Sequence, residues 1–279
     1  MNCPSFTLLK QQSQNRMSVD THLPIFVLTL EGGEERRAPL LDRLTSLNLR
    51  HELFFGVDGR QGLPPVHEPL IDRSARIETS QRPLTDGEYA CALSHLSIYR
   101  QIVARGLARA IVLEDDALIG TAFAALARGQ IALPGDLLML DHQRGFYHWR
   151  GRIDLGQGLH GYPVAVAPYL ATGYALTLEA ARFFLDHSFP VRGVADWPCD
   201  ILALKSCAIY PRIVDHPDPA TAPSNLQVAR LTVRNEHEAK MTQGWKRRFG
   251  WPYWRRRARD WYAIRYRRLG DAAMLDLSQ

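Results

Sequence analysis

The chain has 279 residues, of which 46% are hydrophobic and 23% charged, with a formal net charge of +5. Those values are ordinary for a globular chain with ample core. No apolar run approaches the roughly 20 residues of a membrane-crossing helix, which excludes such a helix. Four cysteines, Cys3, Cys91, Cys199 and Cys207, show neither CxxC pairing nor zinc spacing, and a reduced cytoplasmic setting fits them. The charge is uneven: residues 245–268 hold ten Lys or Arg and one Asp, a charge of +9, which leaves the remainder at −4.

Residues 1–20 read as a disordered lead, with no apolar segment of a secretory signal. Residues 23–30 read as a buried strand, followed by a Gly32-Gly33 turn and a helix through Leu40, Leu41, Leu44 and Leu47. The turn either brings backbone N–H groups and Arg36 or Arg37 to a phosphate or is a plain strand-to-helix turn. It lacks GxGxxG and GxxxxGK. Residues 51–59 read as a second strand ending in Asp58-Gly59, equally a ligand contact or a structural turn. Residues 60–83 carry Pro64, Pro65, Pro69 and Pro83 and read as a surface loop over a site.

Thr85-Asp86-Gly87-Glu88 is a capping box, and it predicts a helix to Arg105 with Leu93, Leu96, Tyr99 and Val103 on its core face. Cys91 and His95 share another face, a pair read as packing; His95 beside Ser94 could also donate to a phosphate. Next comes Ile111-Val-Leu-Glu114-Asp115-Asp116, a short apolar strand that ends in three acids. Strand alternation places Glu114 and Asp116 on one side and Asp115 on the other. Three clustered carboxylates repel one another unless a cation holds them, and hard oxygens suit Mg²⁺ or Mn²⁺ with a phosphate. The alternative is a solvated acidic turn.

Residues 136–140 read as a strand, and residues 144–162 as a glycine-rich loop carrying Arg, Tyr and Trp that binds a sugar or anion or is simply mobile. Residues 164–176 read as one or two strands broken at Pro168 and Gly173, after which Thr177 caps a helix. Asp196 and Asp200 lie in a segment opening another helix, where acids are often only caps. Residues 210–216 read as a last short strand, and prolines from 217 to 223 end the body. The stretch 245–268 alternates cations with large aromatics, which suits an anionic membrane surface, a helix packed on the domain, or nucleic acid. No nucleic-acid motif accompanies it, so nucleic acid is not expected as a partner.

Three segments in order resemble the family 25 glycosyltransferases, which include lipooligosaccharide galactosyltransferases and relatives that glycosylate collagen. They are Val27-Leu-Thr-Leu30 with Glu35-Arg36-Arg37 and Val57-Asp58-Gly59; Gly87-Glu88-Tyr-Ala90-Cys91 through Ser94-His95; and Leu113-Glu114-Asp115-Asp116. Thr172-Gly173-Tyr174 and Asp196-Trp197 resemble later family segments, while Ala90 stands where the family usually has Gly. The resemblance implies an α/β, GT-A-like (Rossmann-type) domain with a mixed central sheet over residues 21–235; the composition of residues 236–279 reads as a basic aromatic helical tail. It implies a nucleotide-sugar donor, most often UDP-galactose, a divalent Mn²⁺ or Mg²⁺, and inversion at the sugar carbon.

On that resemblance Glu114, Asp116 and His216 hold the metal, and Asp115 contacts the ribose. Asp58 meets the nucleoside, Arg36 and His95 the phosphates, and Leu30, Gly59, Ser94, Thr172 and Gly173 complete the donor site. Asp196 is the first choice for the base on the acceptor hydroxyl and Asp200 the second. The expected acceptor is a lipooligosaccharide or other glycan, reached by a cytoplasmic enzyme peripheral to the inner face of the membrane. Two other classes use the same acids. A Mg²⁺-dependent phosphoryl-transfer enzyme or phosphohydrolase usually needs a nucleophilic Asp or P-loop lysine, and neither is found; the other is a non-catalytic membrane-associated binding protein.

Overall fold

The computed structural model describes residues 22–77, 82–218, 230, 233 and 268–270. The lead over residues 1–20 and the basic tract 245–267 lie outside them. β1 (Ile25–Thr29) turns at Gly32-Gly33 into α1 (Glu34–Ser46), and β2 (Glu52–Phe55) follows. α2 (Asp86–Ala104) precedes β3 (Arg109–Glu114), β4 (Leu118–Ile119) and α3 (Thr121–Ala127). Then come β5 (Leu137–Met139), β6 (Phe146–Tyr147), β7 (Ile153–Gly156), β8 (Leu159–Val166) and β9 (Gly173–Thr177). α4 (Leu178–His187), β10 (Ser206–Tyr210) and β11 (Val214–Asp215) complete the described elements.

The main sheet has the order β2-β1-β3-β9-β5-β10-β8-β6, with β7 beside β8, and β4 pairs with β11 apart from it. β1 is parallel to both β2 and β3, β9 is antiparallel to β3 and β5, and β10 is parallel to β5. This is the mixed central sheet of a GT-A-like Rossmann fold. Alternation along the strands covers both faces. Phe26 and Val112 point into the core under α2 and α4, while Val27, Ile111 and Leu113 point into the core that holds residues of α1 and α3. Each fully buried aliphatic or aromatic side chain contributes about 1.5–3 kcal/mol.

Both halves of the predicted capping box form: the Glu88 amide donates to Thr85 and the Glu88 carboxylate accepts from the Thr85 amide. α2 is buried well beyond the predicted face, with Ala92, His95, Ile98 and Ile102 all inaccessible to solvent. Three readings of the sequence are corrected. Asp200 opens only a short 3₁₀ turn, Ile201–Ala203, and not a helix. The principal strand near the end of the body is Ser206–Tyr210, ahead of the predicted one. The stretch 144–162 supplies β6, β7 and the start of β8, because its apolar residues Phe146, Tyr147 and Leu159 have a sheet edge to pair with.

Candidate functional site

β1 and β3 end together, with Leu28 paired to Glu114, and a cavity of about 430 Å³ opens there. Such a crevice beyond strand ends is where ligands bind in α/β sheets. Arg36 spans two of the three acids: Nε donates to Asp115 Oδ1 at 2.6 Å and Nη2 to Asp116 Oδ2 at 2.6 Å. Thr29 donates to the other Asp115 oxygen at 2.8 Å. The expected alternation therefore fails. β3 stops at Glu114, Asp115 and Asp116 sit in the following turn, and one guanidinium reaches both. Arg37 is not its equal. It is buried against Thr29, the Leu30 carbonyl and Glu34.

Asp116 is the acid whose surroundings best fit a cation ligand. Burial and the charge of Glu114 push its carboxyl up to about 6, in spite of Arg36. Its Oδ1 is buried with no hydrogen-bond partner among the described residues. A free, hard carboxylate oxygen on the cavity wall fits Mg²⁺ or Mn²⁺. Glu114 faces inward to His95, whose Nε2 is 3.5 Å away. Burial works to raise the Glu114 carboxyl, yet His95, Arg36 and Arg230 together hold the group low.

The expectation that His95 meets donor phosphates is corrected. Its ring is fully buried beneath Glu114, stacked on Tyr174, with Nδ1 2.7 Å from the Tyr174 hydroxyl. Ser94 reaches the wall, and its hydroxyl accepts from the Val57 amide at 2.8 Å, fixing the segment after β2. Gly59 lies on the wall as expected, and needs to be glycine because a Cβ there would sit 2.7 Å from the Cβ of Ala90. Asp58 does not line the cavity: its carboxylate closes on Arg60 at 2.7 Å, and Arg60 takes the place on the wall. The strand end thus presents a cation where an acid was expected.

Leu30 and Thr172 line the cavity, and the Thr172 carbonyl accepts from the Glu114 amide at 2.8 Å. Gly173 is a packing residue, not a wall residue; a Cβ there would meet Val214 at 2.8 Å. Asp196 stands on the wall, its carboxyl raised by burial although the Leu170 amide donates to it. The neighbouring Trp197 anchors it by donating to the Pro168 carbonyl at 2.8 Å. Asp200 is exposed and off the wall, and it accepts from the Leu202 amide at 3.0 Å, so it is a cap only.

His216 reaches the wall, but its Nδ1 is held by buried Asp141 at 2.8 Å. Asp141 and Asp215 are both already neutralised by Arg212, at 2.7 and 3.0 Å. That cluster is an ion-pair network, and these carboxylates raise the His216 imidazole above its usual value. Arg230 was not expected at the site at all. It lines the cavity, and its Nε donates to Glu88 at 2.9 Å. No local pattern marks a lone cation beyond a proline-rich stretch.

Residues 22–144 match the family model described as glycosyltransferase family 25 (LPS biosynthesis protein). Over 175 residues the chain is 32% identical to the inactive glycosyltransferase 25 family member 3 of Homo sapiens, covering 58% of this chain and 28% of that protein. It is 28% identical over 178 residues to procollagen galactosyltransferase 2 of Mus musculus, covering 57% and 26%. A glycosyltransferase 25 family member of Anopheles gambiae is 31% identical over 174 residues, covering 58% and 28%. The chain spans under a third of the length of these relatives. Over residues 22–144, a stretch that carries Arg36 and the three acids of the cavity wall, the chain is similar to glycosyltransferase family 25.

Proposed function

We propose that the protein moves a hexose, galactose first among the candidates, from a UDP-sugar to a glycan hydroxyl in one inverting displacement that requires Mn²⁺ or Mg²⁺. The observation that carries this reading is the placement of Asp116, with its free carboxylate oxygen, and of half-buried Asp196 on the walls of the same cavity. Asp116 would hold the metal, with Asp115 kept beside it by Thr29 and Arg36. The bound cation would neutralise the diphosphate leaving group. Arg230 and Arg60 add guanidiniums suited to diphosphate oxygens. Asp196 takes the proton of the acceptor hydroxyl, and burial makes its carboxylate the stronger base for that step.

The acceptor in this reading is a lipid-borne glycan, and the tract 245–268 holds the enzyme to the inner face of the membrane. Support comes from its ten cations interleaved with aromatics and from the LPS-biosynthesis description of the matching family. A second reading, a donor-binding domain without transfer, is favoured by the inactive relatives. One assay separates the two. UDP-galactose, UDP-glucose and their N-acetyl forms are supplied with Mn²⁺ and a lipooligosaccharide acceptor, and UDP release is followed with and without EDTA. Metal-dependent release from one donor supports transfer. UDP binding without release supports the second reading, and release of inorganic phosphate would refute both.

A further inference from the structure

We infer that Cys91, His95 and Glu114 form a soft-metal site suited to Zn²⁺, with three protein ligands and a fourth position open to the cavity. Cys91 and His95 lie one turn apart on α2 and share a face, and Glu114 closes β3 beside them. One ligand atom from each of the three lies within 4.8 Å of the others. A tetrahedral ion with bonds of about 2.0–2.3 Å keeps its ligand atoms about 3.3–3.8 Å apart. His95 Nε2 and Glu114 Oε1 are separated by 3.5 Å, within that range and long for a hydrogen bond.

The independent observation is the imidazole itself. His95 is fully buried, and its Nε2 has no hydrogen-bond partner among the described residues. A buried nitrogen left in that state is costly unless something completes it. Its Nδ1 is engaged at 2.7 Å by the Tyr174 hydroxyl, which is backed at 2.8 Å by Tyr99. Metal-binding imidazoles are oriented in this way, with the second nitrogen fixed by a partner.

The donor set decides which ion. One thiolate, one imidazole and one carboxylate suit Zn²⁺ and disfavour Mg²⁺, whereas the free oxygen of Asp116 suits a hard ion. Cys91 and Glu114 both line the cavity, so the open position faces it. Zinc bound there would hold Glu114 and crowd the ligand space. That antagonism rests on the proposed glycosyltransferase reading; the site itself does not.

The test uses the full chain, stripped with a chelator and titrated with Co²⁺ as a spectroscopic stand-in for Zn²⁺. The expected result is a single Co²⁺ per chain with tetrahedral visible bands and a sulfur-to-cobalt charge-transfer band, displaced by Zn²⁺. Cys91→Ser removes the charge-transfer band, while Cys3→Ser, Cys199→Ser and Cys207→Ser keep it. No such band, or one that survives Cys91→Ser, overturns the inference. A measurement on unmutated protein guards against a misfolded variant: Zn²⁺ should slow alkylation of Cys91 by iodoacetamide about tenfold and Mg²⁺ should not. Equal rates with and without Zn²⁺ overturn it as well. Neither readout involves UDP or transfer, so failure here is distinguishable from failure of the enzymatic reading.

Discussion

Arg230 donates from Nε to Glu88 Oε1 at 2.9 Å, joining residues 142 positions apart in the chain. Glu88 also accepts two bonds from Arg82, at 2.7 and 2.8 Å, and receives the Thr85 amide at 3.0 Å. One buried carboxylate therefore starts α2 and holds a cation at the cavity. Burial works to raise that carboxyl, and the hydrogen bonds from Arg82 and Thr85, together with the charges of Arg230 and Arg82, hold it below its usual value. Glu88→Gln keeps the size and removes the charge. It should cost about 2–4 kcal/mol in denaturant unfolding, since Arg82 loses its counter-charge in a part-buried position. Arg230→Ala should leave stability within about 1 kcal/mol, because its own side chain is 42% exposed. UDP affinity should fall about tenfold in that variant, read by calorimetry. Unchanged UDP affinity removes Arg230 from the proposed donor site.

Asp116 gives a pH dependence of defined sign. Its carboxyl titrates at about 6 in the folded chain, against an ordinary value near 4 in an unfolded one. Between those values the folded chain binds the extra proton. The associated stability is fully present below pH 4 and is lost as pH rises through 6. Above pH 6 the ionised side chain works against the metal-free fold. Asp116→Asn should therefore raise the unfolding midpoint of chelator-treated protein at pH 8, by an increment worth about 2 kcal/mol that vanishes near pH 4. A variant less stable than the parent at pH 8 contradicts this environment for the carboxyl.

Asp196 and Asp200 separate catalysis from capping. Asp196→Asn should lower transfer by about 10²–10⁴-fold and leave donor binding within a few-fold, because the lost group acts on the acceptor proton. Asp200→Asn should leave transfer unchanged, since its carboxylate only accepts from the Leu202 amide. A large loss of transfer in Asp200→Asn alone would reverse the assignment.

The basic-aromatic tract makes a prediction independent of the cavity. Deleting residues 245–279 should abolish sedimentation with anionic phosphatidylglycerol vesicles, and raised salt should weaken binding by the intact chain. Equal vesicle binding by the intact and shortened chains removes the membrane proposal.

Much of this was legible in the residues. The capping box at Thr85–Glu88 is a four-residue signal with a single geometry, and it formed in full. The apolar runs Ile25–Leu28 and Ile111–Leu113 became adjacent central strands, and they put the acids at a shared strand end. What failed was decided by tertiary partners. Asp115 was assigned a side by strand alternation, but the strand stops one residue earlier and Arg36 draws it back beside Asp116. Asp58 looked like a strand-end ligand until Arg60, two residues on, closed over it. His95 is buried because Tyr174 of β9 stacks on it, backed in turn by Tyr99 of α2, which no local pattern foretells. β10 was overlooked because Ser206-Cys-Ala-Ile-Tyr is short and mixed, and is a strand only between β5 and β8.

The most direct test of the central claim is UDP binding by titration calorimetry, with and without Mn²⁺, in the parent protein and in Asp116→Asn. The parent should bind UDP at least about tenfold more tightly with Mn²⁺, and Asp116→Asn should lose that increment. Manganese-independent UDP affinity in the parent, or a full manganese increment in Asp116→Asn, would contradict the claim that this carboxylate anchors a cation for the diphosphate.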